Sequence, residues 1–115
     1  MSDEPPATCV FCQIGAREIG ADEVRRDENF VAFHDVQPRA PTHVLVIPIA
    51  HYEHLDTWIA AGAPSDRMLA FVHAVAGDLD ILGRYRLITN VGEEGGQVVP
   101  HLHWHLMAGS RLPGF

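Results

Sequence analysis

The segment at residues 101–107 constrains the fold most, because it alternates histidine and apolar residues without a break: His-Leu-His-Trp-His-Leu-Met. Successive side chains of a β-strand point to opposite faces of a sheet, so His101, His103 and His105 share one face. The other face carries the apolar side chains, which are Leu102, Trp104 and Leu106. The pattern predicts a half-buried strand whose apolar face packs on the core and whose imidazole face opens to a site.

Three imidazoles on one strand suit two kinds of chemistry. Imidazole nitrogens are common zinc ligands, whereas a neutral imidazole is also a nucleophile and an imidazolium donates to phosphate oxygens. The preceding loop favours phosphate, because Gly95 and Gly96 tolerate positive φ and let the backbone approach a ligand. Their N–H groups suit an anion-binding nest, and Asn90 and Gln97 add side-chain amides. A glycine pair taken alone also fits a plain hairpin turn.

The composition is typical of one soluble globular domain. The chain has 115 residues, 47% of them hydrophobic, and no apolar run approaches the ~20 residues of a membrane span. A net charge of −7 argues against nucleic-acid binding, which needs a basic field, but allows a single nucleotide. Residues 1–7 are acidic and Pro-rich, lack signal-peptide features, and are expected to form a disordered tail. We therefore expect a single cytoplasmic domain over residues 1–115, with no membrane or nucleic-acid partner.

Hydrophobic periodicity and turn residues divide the chain into short strands and helices. Strands are predicted at residues 23–26, 30–34, 43–48, 84–91 and 101–107. Helices are predicted at residues 13–18, 53–61 and 65–82. The strand at 43–48 is apolar enough to be buried on both faces. Because strands outnumber helices and no regular β-α-β alternation occurs, the fold class is α+β with a mainly antiparallel sheet.

The longest predicted helix has recognisable ends and one apolar stripe. Ser65 or Asp66 is expected to cap its N-terminus, and Gly83 is expected to follow its C-terminus. The stripe recurs at spacings of four and three, as Met68, Val72, Val75, Leu79 and Leu82. Such a stripe is typical of a helix packed on the core, and part of it also suits a contact with a second subunit.

Two cysteines form a Cys-x-x-Cys pair near the N-terminus. In a cytosolic chain a disulfide between Cys9 and Cys12 is the weaker interpretation. The spacing indicates either a redox pair or half of a zinc site. The cysteines themselves do not decide between these two possibilities.

The alternating segment is similar to the signature of the histidine-triad (HIT) family, His-φ-His-φ-His-φ-φ with φ apolar. Three further segments match in order: Phe-His-Asp-Val at 33–36, Pro-Thr-His-Val-Leu-Val-Ile-Pro at 41–48, and Asn-Val-Gly with Gly-Gly-Gln at 90–97. The resemblance spans residues 9–109 and points to the nucleotide-binding phosphoramidase branch. It implies a HIT-like fold with about five mainly antiparallel strands, one long helix and one or two short ones. It also implies a homodimer.

The resemblance assigns roles to individual residues. His103 corresponds to the nucleophile, His105 to the residue that holds an α-phosphate oxygen, and His43 to a histidine that supports the catalytic one. The expected activity is cleavage of purine nucleoside 5′-phosphoramidates or related conjugates through a nucleotidyl-histidine intermediate, with release of AMP or GMP. The positions matching nucleotide contacts are Phe11, Ile14, Phe33, His34, Asp35, Val36, Leu45, Asn90, Gly96, Gln97, Val98, His103 and His105.

The same resemblance accounts for the cysteines. Some bacterial-type members carry a structural zinc, and the matching ligands here are Cys9, Cys12, His51 and His101, with His54 as a possible substitute for His51. Two thiolates and two imidazoles are an ordinary tetrahedral zinc set. Catalysis itself requires no cofactor under this interpretation.

The sequence departs from the family pattern at one position, which leaves other functions open. Position 98 is Val, where the phosphoramidase branch usually has a hydroxyl residue near the leaving group. A non-catalytic module that binds nucleotides or proteins is therefore the second hypothesis. A third is a metal-dependent hydrolase with His101, His103 and His105 around one catalytic metal, although this hypothesis leaves the cysteines without a partner.

Overall fold

One antiparallel five-stranded sheet organises the computed structural model, which describes residues 9–114. Its strands lie in the order β1-β2-β3-β5-β4, and the class predicted from the sequence is confirmed. The strands are β1 (Glu23–Arg26), β2 (Phe30–His34), β3 (Thr42–Pro48), β4 (Tyr85–Ile88) and β5 (Trp104–Ala108). The helices are α1 (Val10–Gly15), α2 (Leu55–Ala60) and α3 (Ser65–Asp78). The disordered tail predicted at residues 1–7 lies outside the described residues.

The central strand β3 supplies both cores. Val44 and Val46 pack into the larger core with α2 and α3, whereas Leu45 and Ile47 pack into the smaller core with α1. Because side chains alternate between faces along a strand, one apolar run serves both layers. Burial on both faces, predicted for residues 43–48, is therefore confirmed. No helix within residues 9–114 has the length and apolar character needed to cross a membrane.

The long helix ends four residues earlier than the sequence indicated. It stops at Asp78, and Asp80, in the left-handed conformation (φ 56°), takes the place after the helix end that is predicted for Gly83. Asp80 N–H donates to the carbonyl of Gly77 and Ile81 N–H to that of Ala76, which is the Schellman pattern of helix ends. Consequently Ile81 is buried and Leu82, placed in the predicted stripe, is exposed.

The helix starts also differ from prediction. Pro64 occupies the N-cap of α3 and no side chain caps it, so neither Ser65 nor Asp66 has the predicted role. The first helix covers Val10–Gly15 rather than residues 13–18, because the Cys9 sulfur at its N-cap accepts the N–H of Cys12. The second helix, α2, lies inside the predicted range of 53–61.

The alternating histidine segment is only partly a strand. Ladder pairing begins at Trp104, and β4 likewise covers less than the predicted 84–91. Before that point the backbone bonds elsewhere, since Leu102 N–H donates to the Tyr52 carbonyl (2.7 Å) and the His103 carbonyl accepts from Thr89 Oγ1 (2.8 Å). The predicted alternation still holds, because Leu102, Trp104 and Leu106 all join the larger core.

Candidate functional site

A cavity of about 630 Å³ opens on the α1 side of the sheet. Its walls combine an apolar part with a group of polar side chains, which is the composition expected of a ligand pocket. The apolar part consists of Phe11, Ile14, Phe33 and Leu45. The polar group consists of Asp35, His43, Asn90, His103 and His105.

The cavity brings together most of the residues that the sequence singled out. His34, Val36, Gly96 and Val98 also line it. Val36 and Val98 stand at its rim with 93% and 88% of their surface exposed.

Gln97 is the exception among the predicted nucleotide contacts. Its Oε1 accepts the Gly92 N–H (2.8 Å), and its Nε2 donates to the carbonyls of Glu53 (2.6 Å) and Val99 (3.0 Å). These bonds use the amide to hold the loop rather than to line the cavity.

The cavity is also lined by residues that the sequence did not single out. The loop before β1 contributes residues 19–22, and the loop before β3 contributes Gln37 and Arg39. Neither loop carries a periodic pattern, so no sequence signal marks the residues that face inward. The proline pair that brackets Arg39 is the only hint that its loop is rigid.

The backbone carbonyl of His101 fixes the orientation of the His103 ring. It lies 2.8 Å from His103 Nδ1, and a carbonyl only accepts, so Nδ1 carries the ring proton and Nε2 keeps its lone pair. Burial lowers the pKa of His103, which favours this neutral form. The Phe11 ring packs edge-on against the imidazole, with centroids 5.0 Å apart. The neutral His103 ring therefore keeps a free lone pair on Nε2, and the residue lines the cavity.

A chain of two hydrogen bonds, from Arg39 through His43, sets the tautomer of His105, which is the reverse of that of His103. Arg39 N–H donates to His43 Nδ1 (3.0 Å), so a neutral His43 must carry its proton on Nε2. That nitrogen lies 2.9 Å from His105 Nδ1, which then accepts and leaves a proton on His105 Nε2. Burial, and then the charges of His103 and His43, lower the pKa of His105 to about 4. His105 is thus a neutral hydrogen-bond donor, and His43 supports it rather than contacting His103.

Asp35 serves both a turn and the cavity. Its Oδ1 accepts the Gln37 N–H (2.9 Å), while Oδ2 lies 3.5 Å from His43 Nε2. The carboxylate therefore adds negative charge beside the imidazole relay and remains an acceptor for a ligand hydroxyl.

The glycine loop is a turn rather than the anion nest that the sequence suggested. The N–H groups of Gly95, Gly96 and Gln97 all donate to carbonyls inside the loop. A Cβ at Gly95 would lie 2.4 Å from the Val91 carbonyl oxygen, and Gly96 has φ +88°, so both positions require glycine. Asn90 Nδ2 donates to the Gly95 carbonyl (2.8 Å) and ties the loop to the cavity wall.

A separate cluster gathers the two cysteines with two imidazoles. Potential ligand atoms of Cys9, Cys12, His51 and His101 all lie within 4.8 Å of one another, and His54 is not among them. Cys9 Sγ is 3.3 Å from His101 Nδ1, and Cys12 Sγ is 3.2 Å from His51 Nδ1. This donor set fits a tetrahedral zinc ion.

The protonation of the cluster also suits a cation. His101 Nε2 donates to the Pro48 carbonyl (2.8 Å), which leaves Nδ1 as the free lone pair facing the sulfurs. Burial lowers the pKa of His101 to about 4. Burial, and then Cys9, raise the pKa of the Cys12 thiol to about 12. A cation beside the pair would offset that cost of ionisation.

Two other metal arrangements fit poorly. Asp35, His43 and His105 also lie within 4.8 Å of one another, but His43 uses one nitrogen as an acceptor and the other carries its proton. Within residues 9–114, His101, His103 and His105 do not converge on one point, because His101 faces the cysteines. The third hypothesis from the sequence, one catalytic metal bound by all three, has no geometry to support it.

Comparisons with known proteins agree with this architecture. The sequence model of the HIT domain family matches residues 16–112. An uncharacterised 13.2 kDa HIT-like protein of Azospirillum brasilense is 40% identical over 108 residues, covering 90% of this chain and 87% of the relative.

Solved structures give the same result. A histidine triad protein of Clostridium difficile has a TM-score of 0.85 at 33% identity, covering 97% of this chain and 99% of that one. A HIT family hydrolase of Clostridium thermocellum has a TM-score of 0.80 at 38% identity, covering 96% and 98%. The chain belongs to the HIT domain family.

Proposed function

We propose that this protein hydrolyses purine nucleoside 5′-phosphoramidates or related nucleotide conjugates through a nucleotidyl-His103 intermediate. The observation that carries the proposal is the His103 ring itself, which lines the cavity and whose Nδ1 proton is held by a carbonyl, so that the Nε2 lone pair is left free. HIT family proteins bind nucleotides, and the solved HIT family hydrolase supports a hydrolytic activity for the family.

The reaction divides into two displacements at the α-phosphorus. His103 Nε2 attacks phosphorus and forms a P–N bond while the bond to the leaving amine breaks, and the amine takes a proton at the open rim of the cavity. Water then attacks the same phosphorus, the bond to His103 breaks, and the nucleoside monophosphate leaves. Splitting one difficult step into two easier ones is the usual advantage of a covalent intermediate.

His105 stabilises the charge that develops on phosphate. Its Nε2–H is a donor without any need for protonation, because His43 already occupies Nδ1. A donor that is oriented before the reaction strengthens as charge builds on the phosphate oxygens. The relay from Arg39 N–H through His43 keeps this donor in place.

The apolar wall of the cavity suits a purine base, and Asp35 suits the ribose. Phe11 and Phe33 meet edge to face with centroids 5.8 Å apart, and Ile14 and Leu45 extend the wall. A flat purine buries more area against such a wall than a pyrimidine does. Asp35 Oδ2 is the acceptor that we assign to the ribose hydroxyls.

The cysteine–histidine cluster is proposed to hold a structural zinc ion. Cys9 and Cys12 from α1 and its N-cap would bind together with His51, which follows β3, and His101, which precedes β5. The ion would supply a cross-link between these segments and takes no part in the displacement at phosphorus.

The family resemblance implies a homodimer, and the composition of the chain favours a cytoplasmic location. We propose a homodimer, supported by the exposure of Leu69 on α3 and by the position of β4 at the edge of the sheet. The outer edge of a sheet is a common place for a second chain to join. A cytoplasmic location remains part of the proposal, and light scattering in solution tests the dimer.

Val98 supports one alternative, a binding module without turnover. A valine cannot donate a proton to a leaving amine, so release of the amine depends on solvent. The same cavity would then bind AMP without cleaving its conjugates.

Hydrolysis of a fluorogenic adenosine 5′-phosphoramidate tests the proposal. We expect turnover by the wild type and by His73→Ala, which removes an exposed imidazole from α3, and a loss of at least about 10³-fold in His103→Ala. AMP binding should survive in all three proteins. A wild type that binds AMP but shows no turnover would favour the binding module.

A further inference from the structure

His101 takes part in two sites at once. Its side chain faces the sulfurs of Cys9 and Cys12 through Nδ1, at 3.3 and 3.4 Å, and its Nε2 donates to the Pro48 carbonyl. Its own carbonyl accepts the Nδ1–H of His103 at 2.8 Å. One fully buried residue therefore joins the thiol–imidazole cluster to the nucleophile.

We propose that metal binding at Cys9, Cys12, His51 and His101 positions the nucleophile, with His101 as the positioning residue that connects the two sites. The inference rests on the proposed role of His103 as nucleophile. It assigns the cluster an effect on the chemical step in addition to any effect on folding.

The sheet gives this part of the backbone little support. Ladder pairing in β5 starts only at Trp104, so His101 and His103 lie outside it. The His101 N–H bonds locally to the Val99 carbonyl (2.8 Å). The peptide unit that carries the His101 carbonyl is held on its other side by Leu102 N–H, which donates to the Tyr52 carbonyl (2.7 Å). The side chain of His101 is the second anchor of the carbonyl that orients His103, and fixing that side chain to a metal would fix the carbonyl further.

The Phe11 ring is a second connection between the cluster and His103. Phe11 lies in α1 between the two cysteines, and its ring packs edge-on against both His101 (5.9 Å between centroids) and His103 (5.0 Å). Ligation of Cys9 and Cys12 would therefore hold the ring that flanks the nucleophile. Both groups that confine the His103 imidazole, a carbonyl and a phenyl ring, belong to segments that the cluster ties together.

A pair of substitutions at His51 separates positioning from folding. This residue does not line the cavity. His51→Ala removes one ligand, whereas His51→Cys keeps a four-ligand zinc set of three thiolates and one imidazole. Val72→Ala, in the core on the opposite face of the sheet, serves as a control with a lowered melting temperature.

Three measurements are made on each protein, with its zinc content determined in parallel. The first is kcat on the adenosine phosphoramidate, the second is the Kd for AMP, and the third is the ¹⁵N-edited resonance of the His103 Nδ1–H. In zinc-free His51→Ala we expect kcat to fall at least tenfold, the Kd to rise less than threefold, and the resonance to vanish. Zinc-loaded His51→Cys should keep both the resonance and kcat within threefold of wild type.

Specific results would overturn the inference. One is a native kcat and an intact resonance in a zinc-free chain with native circular dichroism. Another is an equal loss of kcat in Val72→Ala, which would make the effect one of general stability. A zinc-loaded wild type without turnover would contradict the proposed function instead, and the resonance, read without nucleotide, still decides whether the metal orients His103.

Discussion

The histidines of the alternating segment have the same side chain but lie in two different environments. His101 at one end is fully buried against sulfur, whereas His103 and His105 line an open cavity. In each case a backbone group or a neighbouring ring selects the nitrogen that stays free. The difference teaches that hydrogen bonding to one ring nitrogen decides whether a histidine offers a lone pair or an N–H on the other.

Among the residues around His103, the largest effect is expected from removing the His105 imidazole. His105→Ala takes away the N–H that we assign to the phosphate, and loss of one such donor typically lowers kcat by about 10²–10³-fold. AMP should still bind, because the apolar wall is intact. Steady-state kinetics with isothermal titration of AMP checks this, and an unchanged kcat would show that His105 does not contact the transition state.

A smaller effect is expected one step further from the substrate. His43→Ala leaves His105 in place but removes the partner that fixes its tautomer, and loss of such an orienting partner typically costs about 10–100-fold. The ¹⁵N shifts of His105 should change from one tautomer to a mixture. If kcat falls while those shifts stay constant, His43 acts by a route other than the relay.

Sequence-based prediction succeeds at β2 and fails at the end of α3. The strand Phe30–His34 was located from sequence to the residue, because the Asp-Glu-Asn turn before it and its unbroken apolar run leave few alternatives. The end of α3 was misplaced, because Asp80 adopts a left-handed conformation for which glycine is the usual signal. Local sequence predicts elements well where packing and turn chemistry agree, and less well where a non-glycine residue takes a positive φ.

Some features of the site could likewise be predicted from the sequence and others could not. The faces of the histidines follow from period-two alternation, and the cysteine–histidine cluster follows from the resemblance. The partners that set each tautomer do not, since they are backbone groups of Pro48, Arg39 and His101 brought close only by the folded chain. Gln97 shows the same limit, because an amide beside a site is as able to hold a loop as to hold a ligand.

The pH dependence of stability should distinguish the partly buried His105 from the exposed His73. Because the pKa of His105 is lowered to about 4 in the folded protein and an unfolded histidine has a pKa near 6.5, the unfolded chain binds more protons between these values. The free energy of unfolding should therefore fall as pH drops from about 6.5 toward 4. Urea titrations should show a weaker pH dependence in His105→Asn than in the surface control His73→Asn, and equal slopes would contradict the neutral state of His105.

The smallest effect is expected at the rim. Val98→Ser restores a hydroxyl beside the leaving group, and we expect kcat for amine-releasing substrates to rise by up to about tenfold, at the low end of general acid catalysis. Val98→Ala is the matched control, because it opens the same space without a hydroxyl. A rise of the same size in both variants would indicate access rather than proton donation.

Trapping the covalent intermediate tests the central claim most directly. Wild-type protein mixed with a radiolabelled adenosine phosphoramidate, quenched at neutral to alkaline pH within the first turnover and digested, should yield one labelled peptide that carries the nucleotide on His103. The label should be absent from His103→Ala and should decay when excess unlabelled substrate is added. Turnover in the wild type with no labelled histidine, or with the label on His105, would contradict the account.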